Sequence, residues 1–362
     1  MKVLALASYP IEMAATRYRL AQFVAPLAER GITLSIRPFL DAELSASIYR
    51  RAEWPRTSLG LARRVVRRMA DVWKAHEADV LLVQREAMMF GPPVFEWLAT
   101  RVGRCPLVLD LDDATYVRYL SPTYGRLGSA LKWFSKTDDL IRWARIVTCG
   151  NRAIAEYVSA KGTRALIIPT VVDTNQFRPV NERRAHGEMP VLGWIGTHST
   201  YPYLASIFPA LQQLARTHRF RLKVVGAGYK EVNVPGVEVE SLAWNLDREI
   251  ADFQSFDIGL YPIIEDAWSA GKSGFKSIQY MAVGVPFVVT PVGASAEVGE
   301  ANVTHFEARS QEVWREALAR LLSDAELRRR MGAAGREYAL QHYTVAEQVD
   351  KLAAALRSAL KS

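Results

Sequence analysis

The chain has 362 residues, of which 49% are hydrophobic and 23% charged, with a formal net charge of +8. That length favours two domains, each with its own core, and that composition excludes a disordered chain. The positive balance asks for an anionic partner; the absence of any RNA-binding aromatic motif or helix-turn-helix signature argues against nucleic acid.

The N-terminal run MKVLALAS is too short for a signal-peptide core and leads into Pro10 and a helical pattern, so it reads as a first buried strand. A helix is predicted from Thr16 to Glu29, closed by Gly31. TLSIRPF, DVLLVQ, PLVLDL, RIVTCG and ALIIP follow as strands separated by helical stretches, which predicts a parallel sheet with helices on both faces. Between the second and third strands, residues 50–69 carry seven arginines against one glutamate, with Leu61, Val65 and Val66 as an apolar side. They read as a basic amphipathic helix, lying on an anionic membrane surface or simply solvated. Cys105 and Cys149 have no metal spacing and read as buried, reduced thiols of a cytoplasmic protein. The polar stretch 179–190 interrupts the alternation as a linker, giving domains over 1–178 and 190–343. Alternation resumes with VLGWIG, RLKVVGAG, FDIGLYPI and PFVVT, and residues 344–362 form one amphipathic helix. No segment has the length and apolarity to span a bilayer. The fold class is thus α/β, with two doubly wound Rossmann-like domains whose polar strand ends face each other across a cleft.

Ligands of such sheets bind beyond the carboxyl ends of the strands, so the residues there are the candidates. In the first domain they are Arg17 and Arg19, Arg85 and Glu86, Asp110, Asp112 and Asp113, and Asn151. In the second they include Gly196, Thr197 and His198, Gly226, and Asp266 through Lys276. In GKSGFKSIQYMAVGVP, Ser273 is a candidate N-cap for a helix to Val283, with Gly284 ending it and Phe275, Ile278 and Met281 facing inward. Lys276 falls in the first turn, where a cation opposes the helix dipole, and Gln279 is expected beside it on the exposed face. Lys272, Ser273, Gly274 and Lys276 around unpaired N–H groups make a diphosphate site; two solvated lysines on an ordinary helix start are the plainer reading. In GTHST, backbone amides, Thr197 and His198 could reach phosphate or sugar oxygens, or Ser199 or Thr200 could merely cap a helix. In DLDD, three carboxylates repel one another unless a cation or a hydroxyl-rich ligand accepts them. With no partner ligands evident, a hard-cation site is the weaker option and no metal is expected. Arg17 and Arg19 are phosphate forks or flanks of a helix start.

These residues resemble the GT-B glycosyltransferases of family 4. The resemblance covers nearly the whole chain and is carried by Trp268–Gly293, by GWIG and by GNRAIAEYV through TNQFRP. It implies retaining transfer of a sugar from a nucleotide-diphosphate-sugar to an acceptor hydroxyl, as in cell-surface polysaccharide or glycoconjugate synthesis, with no cofactor and no essential metal. It further implies that the last helix returns to the first domain. The donor would be held by Gly196, Thr197, His198, Gly226, Asp266, Lys272, Ser273, Gly274, Lys276 and Gln279, with Asp112 and Lys276 catalytic. Arg17, Arg19, Arg85, Glu86, Asp110, Asp113 and Asn151 would form the side facing a saccharide, lipid-linked or phosphorylated acceptor. The protein would be cytoplasmic, with a peripheral membrane option through the basic helix. The chain departs from the family where two glutamates are usual: the first position is Gly271 and the second Gln279, with Asp266 as a candidate substitute. A sugar-nucleotide epimerase and a non-catalytic binding subunit of the same fold remain open alternatives.

Overall fold

The computed structural model describes residues 1–48, 54–119, 125–180, 189–228 and 231–360, with backbone alone at 54–56. The beginning of the basic segment (50–53), most of the expected linker (181–188) and the last two residues lie outside the described residues. The chain divides into two compact units, one of Met1–Val171, Gly271–Ser273 and Val345–Ser362, the other of Val172–Ala270 and Gly274–Thr344.

The first unit holds β1 (Lys2–Ala7), β2 (Thr33–Pro38), β3 (Val80–Gln84), β4 (Leu107–Leu111), β5 (Ile146–Cys149) and β6 (Ala165–Ile167). They form one parallel sheet in the order β2-β1-β3-β4-β5-β6. Its helices are α1 (Ala14–Arg19), α2 (Val24–Glu29), α3 (Ala42–Ser47), α4 (Trp54–Trp73), α5 (Val94–Trp97), α6 (Gly125–Lys132), α7 (Lys136–Trp143) and α8 (Arg152–Ala160). VLLVQ and LVLDL are buried at every position, as strands covered on both faces must be. Register then sets Gln84 beside Asp110 and Asp110 beside Thr148, a row of polar groups across the carboxyl end of the buried central strands. The strand order reverses between β1 and β3, so the loops after those strands flank the switch point where such sheets bind ligands.

The single helix expected over residues 16–29 is instead α1, a 3₁₀ turn at Ala21–Phe23, and α2. Pro26 accounts for the break: it has no N–H to donate, and its ring crowds the carbonyl four residues earlier. Cys105 lies just before β4 and Cys149 ends β5; both thiols are free and buried, and burial raises them to about 11 for Cys105 and about 12 for Cys149.

The second unit holds β7 (Val191–Ile195), β8 (Arg221–Val225), β9 (Glu238–Leu242), β10 (Ile258–Tyr261), β11 (Phe287–Val289) and β12 (His305–Glu307). Their order is β12-β11-β10-β7-β8-β9, again parallel, with the switch between β10 and β7. Neither β9 nor β12 was expected: both are edge strands, EVESL alternating charge with apolar groups and HFE only three residues long. The helices are α9 (Tyr201–Ala205), α10 (Phe208–Leu214), α11 (Glu249–Gln254), α12 (Phe275–Ala282), α13 (Gln311–Ser323) and α14 (Ala325–His342). The last helix, α15 (Val345–Ser358), belongs to the first unit. Tyr280 fixes α12 to the switch point, its hydroxyl donating to the carbonyls of Gly193 on β7 (3.2 Å) and Leu260 on β10 (3.0 Å).

Candidate functional site

The carboxylates of DLDD meet two arginines. Arg19, on α1, forms a buried bidentate pair with Asp110, Nε lying 3.0 Å from Oδ2, while Thr148 Oγ1 donates to Oδ1 at 2.6 Å. Arg19 also donates to the Ile168 carbonyl at 2.6 Å. Burial alone would lower the Arg19 pKa, but the charge and hydrogen bond of Asp110 outweigh it and raise it. Arg19 is therefore an internal partner of Asp110 that ties α1 to the sheet.

Asp112 is held by Arg85, whose Nε and Nη2 reach its two oxygens at 2.5 and 2.6 Å. Arg85 takes a left-handed backbone, φ 60, unusual for a side chain with a Cβ. That conformation follows β3 directly and carries the guanidinium toward β4. Burial works against the Asp112 charge, yet Arg85 outweighs it and holds the carboxyl below its ordinary range. Asp113 is different: burial raises it, its Oδ1 accepts only from the adjacent Ala114 N–H among the described residues, and Arg85 is 3.7 Å from its other oxygen. Gly150 permits this packing, since a Cβ there would stand 3.1 Å from the Asp112 Cα. Among the described residues no group of three His, Cys, Asp or Glu side chains is placed to hold a metal ion.

Glu86 accepts from Lys132 and from Lys136, the latter at 2.6 Å, and all three groups are largely buried. Burial would raise the Glu86 carboxyl, but the two ammonium groups lower it. Neither lysine was a candidate from sequence, where nothing in LKWFSK points back 46 residues. Asn151 caps α8 through the Ile154 N–H and donates to the carbonyls of Gly271 (2.9 Å) and Lys272 (3.2 Å), all within the first unit. Gly271 packs against Ala114 so closely that a Cβ would lie 2.3 Å from that methyl. A glutamate at this position has no room. Arg17 donates to the Glu12 carbonyl at 2.6 Å and lies over the Tyr18 ring.

The basic helix is corrected in part. Arg68 is 1% exposed and donates to the carbonyls of Arg37 and Ala7, and Arg64 pairs with Asp41. Leu61 and Val65 are half-buried, while Leu59, Val66, Met69 and Trp73 are exposed.

In the second unit, the turns after β7 and β8 interlock. Gly226 has φ 81, and a Cβ on it would stand 2.3 Å from the Gly196 carbonyl oxygen; one on Gly228 would stand 2.9 Å from His198. Thr200 caps nothing in α9; its hydroxyl instead accepts the Thr197 N–H at 3.0 Å, and Thr197 and Ser199 share a hydroxyl contact of 2.8 Å. Asp266 opens a tight turn, accepting the Ser269 N–H at 2.6 Å and donating its own N–H to Ser269 Oγ at 2.8 Å. The N-cap of α12 is Gly274, at φ 65, and not Ser273. Gly274 has no side chain to cap the helix, and the Ser277 N–H turns back to the Gly274 carbonyl at 3.0 Å. Lys276 sits in that turn with its ammonium 5.2 Å from the centre of the Tyr261 ring. Gly284 ends the helix at φ 67 as expected, but Gln279 is 4% exposed and not on a solvated face. α14 packs on the face of α12 that carries Met281, with Gly335 against Met281 and Gly332 against Gly284.

This arrangement, a helix N-terminus with a cation beside the switch point of a parallel sheet, coincides with a sequence match. Residues 209–354 match the glycosyl transferase-like family model. No curated protein shows significant sequence similarity to the chain. Among solved structures, a sucrose-phosphate synthase from Thermosynechococcus elongatus is 12% identical with a TM-score of 0.71, covering 99% of each chain. A glycosyltransferase from Rickettsia africae is 14% identical with a TM-score of 0.71, over 100% of this chain and 99% of that one. Anabaena HepE, in complex with UDP and glucose, is 17% identical with a TM-score of 0.66, over 99% and 100%. The fold of this chain is therefore that of the GT-B glycosyltransferases.

Proposed function

We propose that the protein transfers a sugar, with retention of configuration, from a nucleotide-diphosphate-sugar to a saccharide hydroxyl, without an essential metal. The observation that carries this reading is the start of α12, a helix N-terminus whose N-cap residue has no side chain, with Lys276 in its first turn. The positive end of a helix and an ammonium group together favour a diphosphate, and favour it more as negative charge grows on the departing group. The sequence motif adds Lys272 as a second cation. Asp112, held ionised by Arg85, is assigned the orientation of a sugar or acceptor hydroxyl. The departing phosphate itself serves as base, so no protein nucleophile is required. Complexes of HepE contain UDP, UDP-glucose and glucose, which supports a nucleotide-sugar donor here.

Acceptors of polysaccharide or glycoconjugate synthesis, lipid-linked ones among them, suit the surface of α4, where exposed Leu59, Val66, Met69 and Trp73 run beside Arg63 and Arg67. No helix among the described residues is long and apolar enough to cross a membrane. A non-catalytic nucleotide-sugar-binding subunit is the second reading, favoured by the absence of room for a glutamate at Gly271. A thermal-shift panel of nucleotide-sugars followed by product analysis separates the two. Glycoside formation that persists in a chelator supports the metal-independent transferase; stabilisation without product supports the subunit; activity that a chelator abolishes and manganese restores refutes metal independence.

A further inference from the structure

The end of the loop after β4, α6 and the start of α7 form an open pocket of about 500 Å³ in the first unit, lined among others by Arg118, Tyr119, Arg126, Trp133, Phe134 and Ser135. Small-molecule sites typically have volumes of about 300–1,000 Å³. A second cavity of similar size, beside α3 and α4, mixes its arginines with Asp41 and Glu43. The first has no carboxylate among its described lining residues, and two guanidinium groups meet three aromatic rings there. Arg118 and Arg126 are both exposed, and neither has a hydrogen-bond or ion-pair partner among the described residues.

The walls are held from below. Glu86 takes Lys132 on one side of the α6–α7 elbow and Lys136 on the other, and Lys136 donates further to the Met88 carbonyl at 2.8 Å. Between these anchors Trp133 adopts φ 55, a left-handed conformation costly for a bulky side chain, with 48% of the residue exposed. Phe134 meets Tyr119 edge to face, ring centres 5.2 Å apart, and Ser129 Oγ donates to the Tyr119 carbonyl at 2.9 Å. A buried ion-pair clamp thus supports a strained backbone that presents an indole to solvent beside two unpaired arginines.

We propose that this cavity binds the acceptor and that the acceptor is an anionic saccharide, its rings stacked on Trp133 and Tyr119 and its acid groups held by Arg118 and Arg126. The C–H face of a pyranose is weakly positive and suits the negative face of an aromatic ring. A carboxylate or phosphate on the sugar suits the planar fork of arginine. The inference rests on the transferase reading, and it names the acid class of the acceptor that reading leaves open.

The test is calorimetric titration of the full chain, without donor, using trigalacturonate and glucose 6-phosphate as the carboxylate and phosphate probes and maltotriose as the neutral one. At least one anionic probe should bind tenfold or more tighter than maltotriose. The double variant Arg118→Gln/Arg126→Gln should abolish that preference. Trp133→Gly should weaken every probe about tenfold with no loss of melting temperature, because glycine accepts the left-handed backbone. Neither variant should alter the thermal shift given by UDP. No anionic preference, or one that survives both variants, overturns the proposal. So does release of the double variant from phosphatidylglycerol vesicles with saccharide binding unchanged, which would make the patch a membrane surface. Binding through Trp133 in a protein that turns over no nucleotide-sugar would sink the transferase reading alone. Turnover with acceptor KM unchanged in both variants would sink only this inference.

Discussion

Lys276→Ala separates a ligand-binding lysine from a structural one. In the folded protein without ligand, two effects on this ammonium nearly cancel. A cation in the first turn of α12 opposes the helix dipole at a cost of about 0.3–1 kcal/mol. Its position over the Tyr261 ring, 5.2 Å from the centre, returns about 0.5–1 kcal/mol. The ligand-free variant should therefore melt within a few degrees of the parent. With a diphosphate bound, the lysine supplies a charge-assisted hydrogen bond worth roughly 1.5–3 kcal/mol. At 1.36 kcal/mol per decade this is roughly a 10- to 150-fold loss of kcat/KM. The assay is steady-state transfer from the best donor of the nucleotide-sugar panel, with thermal shifts recorded with and without UDP. A variant that melts much lower without ligand yet gains as much from UDP as the parent would show that Lys276 is structural, and the diphosphate assignment would fall with it.

Asp112→Asn should lower turnover far more than UDP affinity; because it leaves the Arg85 charge short of a partner, it should also cost up to about 3 kcal/mol in a urea melt. An equal fall in UDP affinity would place Asp112 at the nucleotide instead. Gly271→Ala should destabilise by about 1–3 kcal/mol, because the new methyl would meet the Ala114 side chain at 2.3 Å, and Ala114→Gly should restore stability. A stable single variant would show that the segment is not packed as described. His305 predicts a pH dependence: burial lowers it to about 4, below its ordinary 6.5, and its Nε2 has no partner. The unfolded chain takes up this proton first, so the stability involved is complete above pH 6.5 and is lost as pH falls toward 4, about 2 kcal/mol of it by pH 5. Urea midpoints for His305→Phe, which keeps a ring against Phe287, should lose that dependence, and an unchanged slope would contradict it.

What the sequence disclosed and what it hid differ in the range of the interactions involved. Strands such as VLLVQ are legible because burial on both faces leaves an unbroken apolar run, and the glycine after α12 because a left-handed residue ends the helix within the same few residues. The fate of each charge at the strand ends was not legible. Arg19 finds Asp110 across 91 residues, and Arg85 finds Asp112 across 27. Gln279 is on the outer side of an isolated α12, yet tertiary packing leaves it buried. The unpaired carboxylates of DLDD had suggested a ligand, yet the protein's own arginines answer two of the three. Pairing therefore changes which groups can act. Asp110, Arg19 and Glu86 are spent on holding the sheet ends and the α6–α7 elbow in place. Asp113 keeps most of its accepting capacity, α12 starts without a side-chain cap, and Arg118 and Arg126 keep their forks. A ligand gains most where the fold has left charge uncompensated, because there it replaces water rather than an existing partner.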